Sequence, residues 1–182
     1  MKRLHWILPL LLLQSAWADK VESTDLKFAA TLPVKMRQSS ASNSSGKVVN
    51  FEGKDEASGY TYQIQVDQSQ EAAKASGKPE LIKPAIEKSL KAYAASVKAE
   101  DAAVKSEWKK AFSKDAVFFG FETAGYSATG DRSSHCGVKF LHNDAIFTVQ
   151  VIAPGAAHTE EAKKALMEVM KSFSLLGAAP AR

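Results

Sequence analysis

Two alternating runs that flank Asn143-Asp144 constrain this chain more than any other stretch. Val138 and Phe140, then Phe147, Val149 and Val151, alternate with Lys139, Thr148 and Gln150. A period of two is the mark of strands with one face buried. Asn and Asp both tolerate the left-handed backbone of a two-residue hairpin loop. Counting outward from that loop pairs Leu141 with Ile146, Phe140 with Phe147, Val138 with Val149 and Cys136 with Val151. Thr159 then offers an N-cap, with Glu160 and Glu161 at the positive end of the helix dipole. Ala162, Ala165, Leu166, Val169, Met170 and Phe173 recur at helical spacing as one apolar stripe.

The N-terminus carries an address. Lys2 and Arg3 form a positive region, Ile7 to Leu13 an apolar run, and Ala16-Trp17-Ala18 a small-residue cleavage site. The run is shorter than the roughly 20 residues that span a bilayer. Residues 1–18 are therefore expected to be a cleaved signal peptide. Residues 19–182 then form a single α+β domain that is secreted, periplasmic in a Gram-negative host, and without a transmembrane segment. Cleavage leaves 22 basic against 20 acidic residues, a formal charge of +2, which argues against a nucleic-acid partner. The single cysteine cannot close an internal disulfide.

Further along, Leu26, Phe28 and Ala30 predict a first strand that stops at Pro33. Gln38 to Gly46 has no apolar residue larger than alanine and is expected to be a mobile surface loop. Val48, Val49 and Phe51 predict a second strand, and Tyr60, Tyr62, Ile64 and Val66 a third. Ser69 caps a short helix through Ala75, closed by Gly77. Pro84 is placed in the first turn of a longer helix. Its stripe runs Ile86, Leu90, Tyr93, Val97, Val104, Trp108 and Ala111 or Phe112, with a break near Ala99 to Asp101. Val117, Phe119 and Phe121 predict a strand, and Phe118, pointing the other way, needs a second covering layer or a partner. Gly125 to Ser134 reads as a second loop. Strands, helix, strands, helix is the order of an α+β fold with a largely antiparallel sheet packed against helices.

That layout resembles the PsbP-like family. The features that carry the likeness are a Phe-bearing early strand ending in proline (26–33), a Tyr-alternating strand (60–66), a central helix and a closing strand-helix ending Lys171-Ser172-Phe173. The resemblance implies an antiparallel sheet sandwiched by helices and a non-catalytic binding or assembly role. It carries over no functional residue.

The chemistry-bearing residues are few. Cys136 lies beside His135, but neighbours on a strand point to opposite faces, so no nucleophilic pair forms and Cys136 is expected to be a small buried hydrophobe. His135, His142, Asp144 and His158 lack the paired spacing of a structural zinc site. His142 and His158 are expected to be solvated. No phosphate-binding glycine loop and no G-x-S-x-G occurs. No catalytic residue, cofactor or metal ligand is assigned. The candidate site is the second loop, with Tyr126, Asp131, Arg132 and His135.

Two functions follow as expectations. The first is a non-catalytic protein that binds an unidentified protein or small-molecule ligand of the cell envelope through its loops, Ser39–Gly46 or Gly125–Ser134. The alternative is an envelope enzyme using Asp131, Arg132 and His135. A concave pocket in which they converge would favour the enzyme, and a flat loop would end that reading.

Overall fold

The computed structural model describes residues 18–99, 103–109, 116–127, 129–155 and 160–176. The signal sequence, His158, the Thr159 cap, Ala111 and Phe112 lie outside the described residues. The chain begins with β1 (Asp19–Ser23), β2 (Phe28–Leu32), β3 (Arg37–Asn43), β4 (Gly46–Lys54) and β5 (Thr61–Ser69). Helices α1 (Gln70–Ala75) and α2 (Pro79–Ser96) follow. Then come β6 (Ala103–Lys109), β7 (Val117–Tyr126), β8 (Arg132–His142) and β9 (Ala145–Pro154), and finally α3 (Glu160–Ser172) and β10 (Ser174–Leu175).

Seven strands make one antiparallel sheet in the order β3-β4-β5-β9-β8-β7-β6, and β1-β2-β10 make a second, smaller one. The β8–β9 hairpin has the register counted from the sequence: Leu141 opposite Ile146, Phe140 opposite Phe147, Val138 opposite Val149, Cys136 opposite Val151. Asn143 adopts the left-handed φ of 51° that the turn requires. α1 is capped by Ser69, whose hydroxyl accepts the Ala72 N–H at 3.3 Å.

The large sheet is covered on both faces. On one, the small sheet and α3 enclose Phe28, Phe51, Phe118, Phe140, Phe147 and Phe173 together with Leu166 and Met170. Phe28 stacks on Phe173 at 5.5 Å and meets Phe51 and Phe147 edge-on. On the other face α1 and α2 bury Phe119, Leu141 and Ile146 against Ala72 and Ile86. Phe118 thus enters the larger core and Phe119 the smaller, so the second covering layer expected from the sequence is present.

Several expectations are corrected. Residues 37–43 form the edge strand β3 rather than a loop; hydrogen bonds to β4 supply the order that no hydrophobic periodicity announced. The middle helix starts at Pro79 and absorbs Pro84 in its interior. It ends at Ser96, and two residues on Lys98 turns left-handed at φ 52°. Val104 and Trp108 lie on β6, not on a continued helix. The second loop is shorter than expected, because β7 runs on to Tyr126 and β8 begins at Arg132. Lys139, Thr148 and Gln150 are buried rather than solvent-facing, since helices cover the face that a half-buried strand would leave open. His142 is buried beside the Phe147 ring, not solvated.

Candidate functional site

α2 covers only part of the second sheet face, and a cleft opens where its cover ends. The C-terminal end of α2 is pinned to β7: Tyr126 N–H donates to the Val97 carbonyl at 2.8 Å. Gly125 permits this approach, because a Cβ there would stand 2.6 Å from the same carbonyl oxygen. Between this helix end, Ser127, Thr129 and Asp131 beyond β7, and strands β4, β5 and β9 lies a cleft of about 590 Å³, within the range of small-ligand sites. Thr61, Gln63 and Gln65 of β5, Ile152 of β9, and Ser133 and His135 of β8 contribute from the sheet. Tyr93 and Ser96 contribute from α2, and Glu52 and Lys54 from the far strand β4.

Tyr126, Asp131, Arg132 and His135, the four candidates from the sequence, all line this one cleft. The loop that carries Asp131 is a knitted turn. Ser127 N–H donates to the Asp131 carbonyl at 2.8 Å and Gly130 N–H to the Ser127 carbonyl at 3.0 Å. Gly130 takes the left-handed φ of 86° that this turn needs. The Thr129 hydroxyl donates to Asp131 Oδ2 at 2.8 Å. Arg132 places its guanidinium carbon 5.2 Å from the centre of the Tyr126 ring, a contact worth about 0.5–1 kcal/mol at an exposed site. Tyr126 itself is one of the few large side chains with an exposed apolar body.

His135 is buried and held at both nitrogens. Nδ1 lies 2.6 Å from the Tyr93 hydroxyl and Nε2 lies 2.8 Å from Ser133 Oγ. A second hydrogen-bond chain runs from β4 through β5 to β9. Glu52 can only accept, and Gln63 Nε2 donates to it at 3.2 Å. Gln63 therefore turns its carbonyl to the Gln150 amide, which donates to it. The Gln150 carbonyl has no partner among the described residues. Burial raises the ionisation of Tyr93 well above the ordinary phenol range, so the phenol stays a donor at neutral pH.

Behind this layer, Lys139 lies fully enclosed beneath α2. Nζ donates to Thr148 Oγ1 at 2.7 Å and to Ser89 Oγ at 3.2 Å, and sits 5.5 Å from the Tyr93 ring centre. Burial lowers its pKa to about 8, and the charge of Asp67 acts in the opposite direction.

Cys136 points to the other face of the sheet, with Sγ 3.7 Å from the Val151 carbonyl, and burial pushes its thiol up to about 11. Tyr93, Ser133, Gln63 and Glu52 were not foreseen as site residues. Parity could have found Ser133, two residues from His135 on the same strand face. Among the described residues no three His, Cys, Asp or Glu side chains converge to hold a metal, and no helix is long and apolar enough to cross a membrane. The chain matches no known protein family, and no curated protein matches it.

Proposed function

We propose that this is a secreted, non-catalytic binding protein, periplasmic in a Gram-negative host, that holds a small ligand of the cell envelope in the cleft beside α2. One observation carries the reading: His135, the innermost of the four candidates that line the cleft, is buried and tied at both ring nitrogens to Tyr93 and Ser133, which makes it a fixed wall of a ligand site. Polar groups set in a preformed cleft are what a specific small-ligand site requires. The PsbP-like kinship is kept as part of the proposal, since an antiparallel sheet with helices on both faces is the arrangement that the resemblance implies.

Amide NMR titration with amino acids, short peptides, disaccharides and fatty acids tests the reading. At least one class should shift the resonances of Gln63, Ser127 and Arg132. A panel that leaves all three unmoved would sink the proposal.

The second reading, an envelope enzyme, is favoured by the concave convergence of Asp131, Arg132 and His135. The double hydrogen bonding of His135 weighs against it. His135 is hydrogen-bonded at both ring nitrogens, to Tyr93 and to Ser133, so neither stands free to take a proton from a ligand. Covalent labelling of Ser133 by a fluorophosphonate would reverse that preference.

A further inference from the structure

The cleft is a groove that runs along β5 beside α2. Tyr62, Ile64 and Val66 point into the larger core. Thr61, Gln63 and Gln65, which alternate with them, therefore face the other way and floor the cleft. From Thr61 to Gln65 that floor extends about 13 Å, at roughly 3.3 Å per residue, too long for one sugar ring or one amino acid to fill. The strand register sets the two ends. Thr61 lies opposite Ile152, Gln65 lies opposite Thr148, and Pro154 lies opposite Ser133. Tyr126 pairs with Arg132, the residue before Ser133, so both stand towards the Thr61 end and Gln65 marks the other.

The lining matches a ligand that both donates and accepts. The carboxamides of Gln63 and Gln65 and the hydroxyls of Thr61, Ser96 and Ser127 do both. Gln63 uses one N–H on Glu52 and one lone pair on the Gln150 amide, which leaves it a second of each. The four charged groups of the lining already have partners. Glu52 accepts from Gln63 at 3.2 Å and Asp131 from the Thr129 hydroxyl at 2.8 Å. Lys54 turns to Glu56 at 3.6 Å, and Arg132 lies over the Tyr126 ring. Two acids and two bases leave no net charge to attract a phosphate or a carboxylate. Val97, Ile152 and Pro154 are the only aliphatic side chains larger than alanine among the described lining residues, little cover for an acyl chain. The exposed Tyr126 ring is a flat apolar surface on which the C–H face of a sugar packs.

We propose, resting on the binding function above, that the groove takes a short uncharged oligosaccharide, with Gln63 and Gln65 bonding its hydroxyls and Tyr126 packing against one ring.

The test is calorimetric titration of the full protein with maltotriose, cellotriose and triacetylchitotriose, each beside its own monosaccharide, with amide NMR to locate the site. At least one trisaccharide should bind and shift Gln63, Gln65 and Ser127. It should hold about tenfold more tightly than its monosaccharide, as further hydrogen bonds along the groove require. Its affinity should stay the same from about 0.01 M to about 1 M salt, because no ion pair forms. Tyr126→Ala removes an exposed ring that belongs to neither core, so thermal unfolding should hold while trisaccharide affinity drops about tenfold. A trisaccharide that binds no tighter than its monosaccharide would overturn the proposal. So would affinity that falls with salt, or a Tyr126→Ala variant that binds as before. If no saccharide binds but a short peptide or a fatty acid shifts the cleft resonances, the saccharide inference falls and the binding function stands. If no probe shifts them, both fall.

Discussion

The Tyr93 hydroxyl lies 2.6 Å from Nδ1 of His135, across 42 residues of sequence, and so joins the helix wall of the cleft to its sheet floor. Tyr93→Phe keeps the ring and its packing but removes the hydroxyl that partners a buried imidazole nitrogen. The expected cost is about 1–3 kcal/mol, read from urea denaturation. Amide exchange in the last two turns of α2 should quicken more than in α3. Unchanged stability would show that the bond does not fasten the helix.

Lys139 predicts an unusual pH dependence. Folding lowers its pKa from 10.5 to about 8, by burial first, against the opposing charge of Asp67. Below pH 8 both folded and unfolded chains hold the proton, and the folded state bears the full desolvation cost. Between pH 8 and 10.5 only the unfolded amine stays charged, so this residue's contribution to stability rises with pH. The shift corresponds to on the order of 3 kcal/mol. Lys139→Met should stabilise the protein by about 1–3 kcal/mol at pH 7, and the gain should shrink as pH approaches 10. Thermal unfolding of both proteins across that range is the measurement, and a gain independent of pH would contradict it.

Cys136 should be inert in the native protein. It is buried against Val151 and its thiol is held up to about 11. Iodoacetamide at pH 8 should label it only after unfolding, as mass spectrometry would show. Cys136→Ala is expected to cost on the order of 1–2 kcal/mol. Cys136→Asp should cost far more, because the carboxylate would have no partner in an apolar core. Rapid labelling of folded protein would contradict the observed register.

Export is predicted to yield a chain that begins at Asp19. β1 starts at that residue, paired with Leu32, and its side chain accepts the Met36 N–H at 2.8 Å, so cleavage after Ala18 leaves every strand pair intact. N-terminal sequencing of protein from a Gram-negative periplasm should find Asp19. Cytoplasmic material retaining Met1 would refute the address.

The hairpin at Asn143-Asp144 was legible because its turn chemistry and its period of two give the same register. α3 was legible because its stripe has one dominant face. β3 was not, since RQSSASN is polar on both faces and takes its conformation from the hydrogen bonds of β4. β6 was hidden because Val104 and Trp108 continue the helical spacing of Ile86 and Leu90, while the left-handed Lys98 that ends the helix carries no glycine or proline to announce it. At the site, Arg132 and His135 could be singled out from a glycine-flanked loop. Tyr93 could not, because its position on the apolar stripe of α2 gives no hint that its hydroxyl meets a histidine on β8.

Two glycines give the scaffold a mark that its site residues do not. At Gly125 a side chain would press on the Val97 carbonyl, and at Gly137 a Cβ would stand 2.7 Å from the Phe121 ring and 2.8 Å from Gln150 Cβ. Neither position can drift without moving α2 or the floor of the cleft, whereas Tyr126 or Asp131 could change with each ligand. Chains descended from a common ancestor with this one are therefore expected to keep a glycine near the end of β7 and another in the middle of β8 after their loops have diverged. That spaced pair, more than any charged residue, is the trace by which such distant kin would be known.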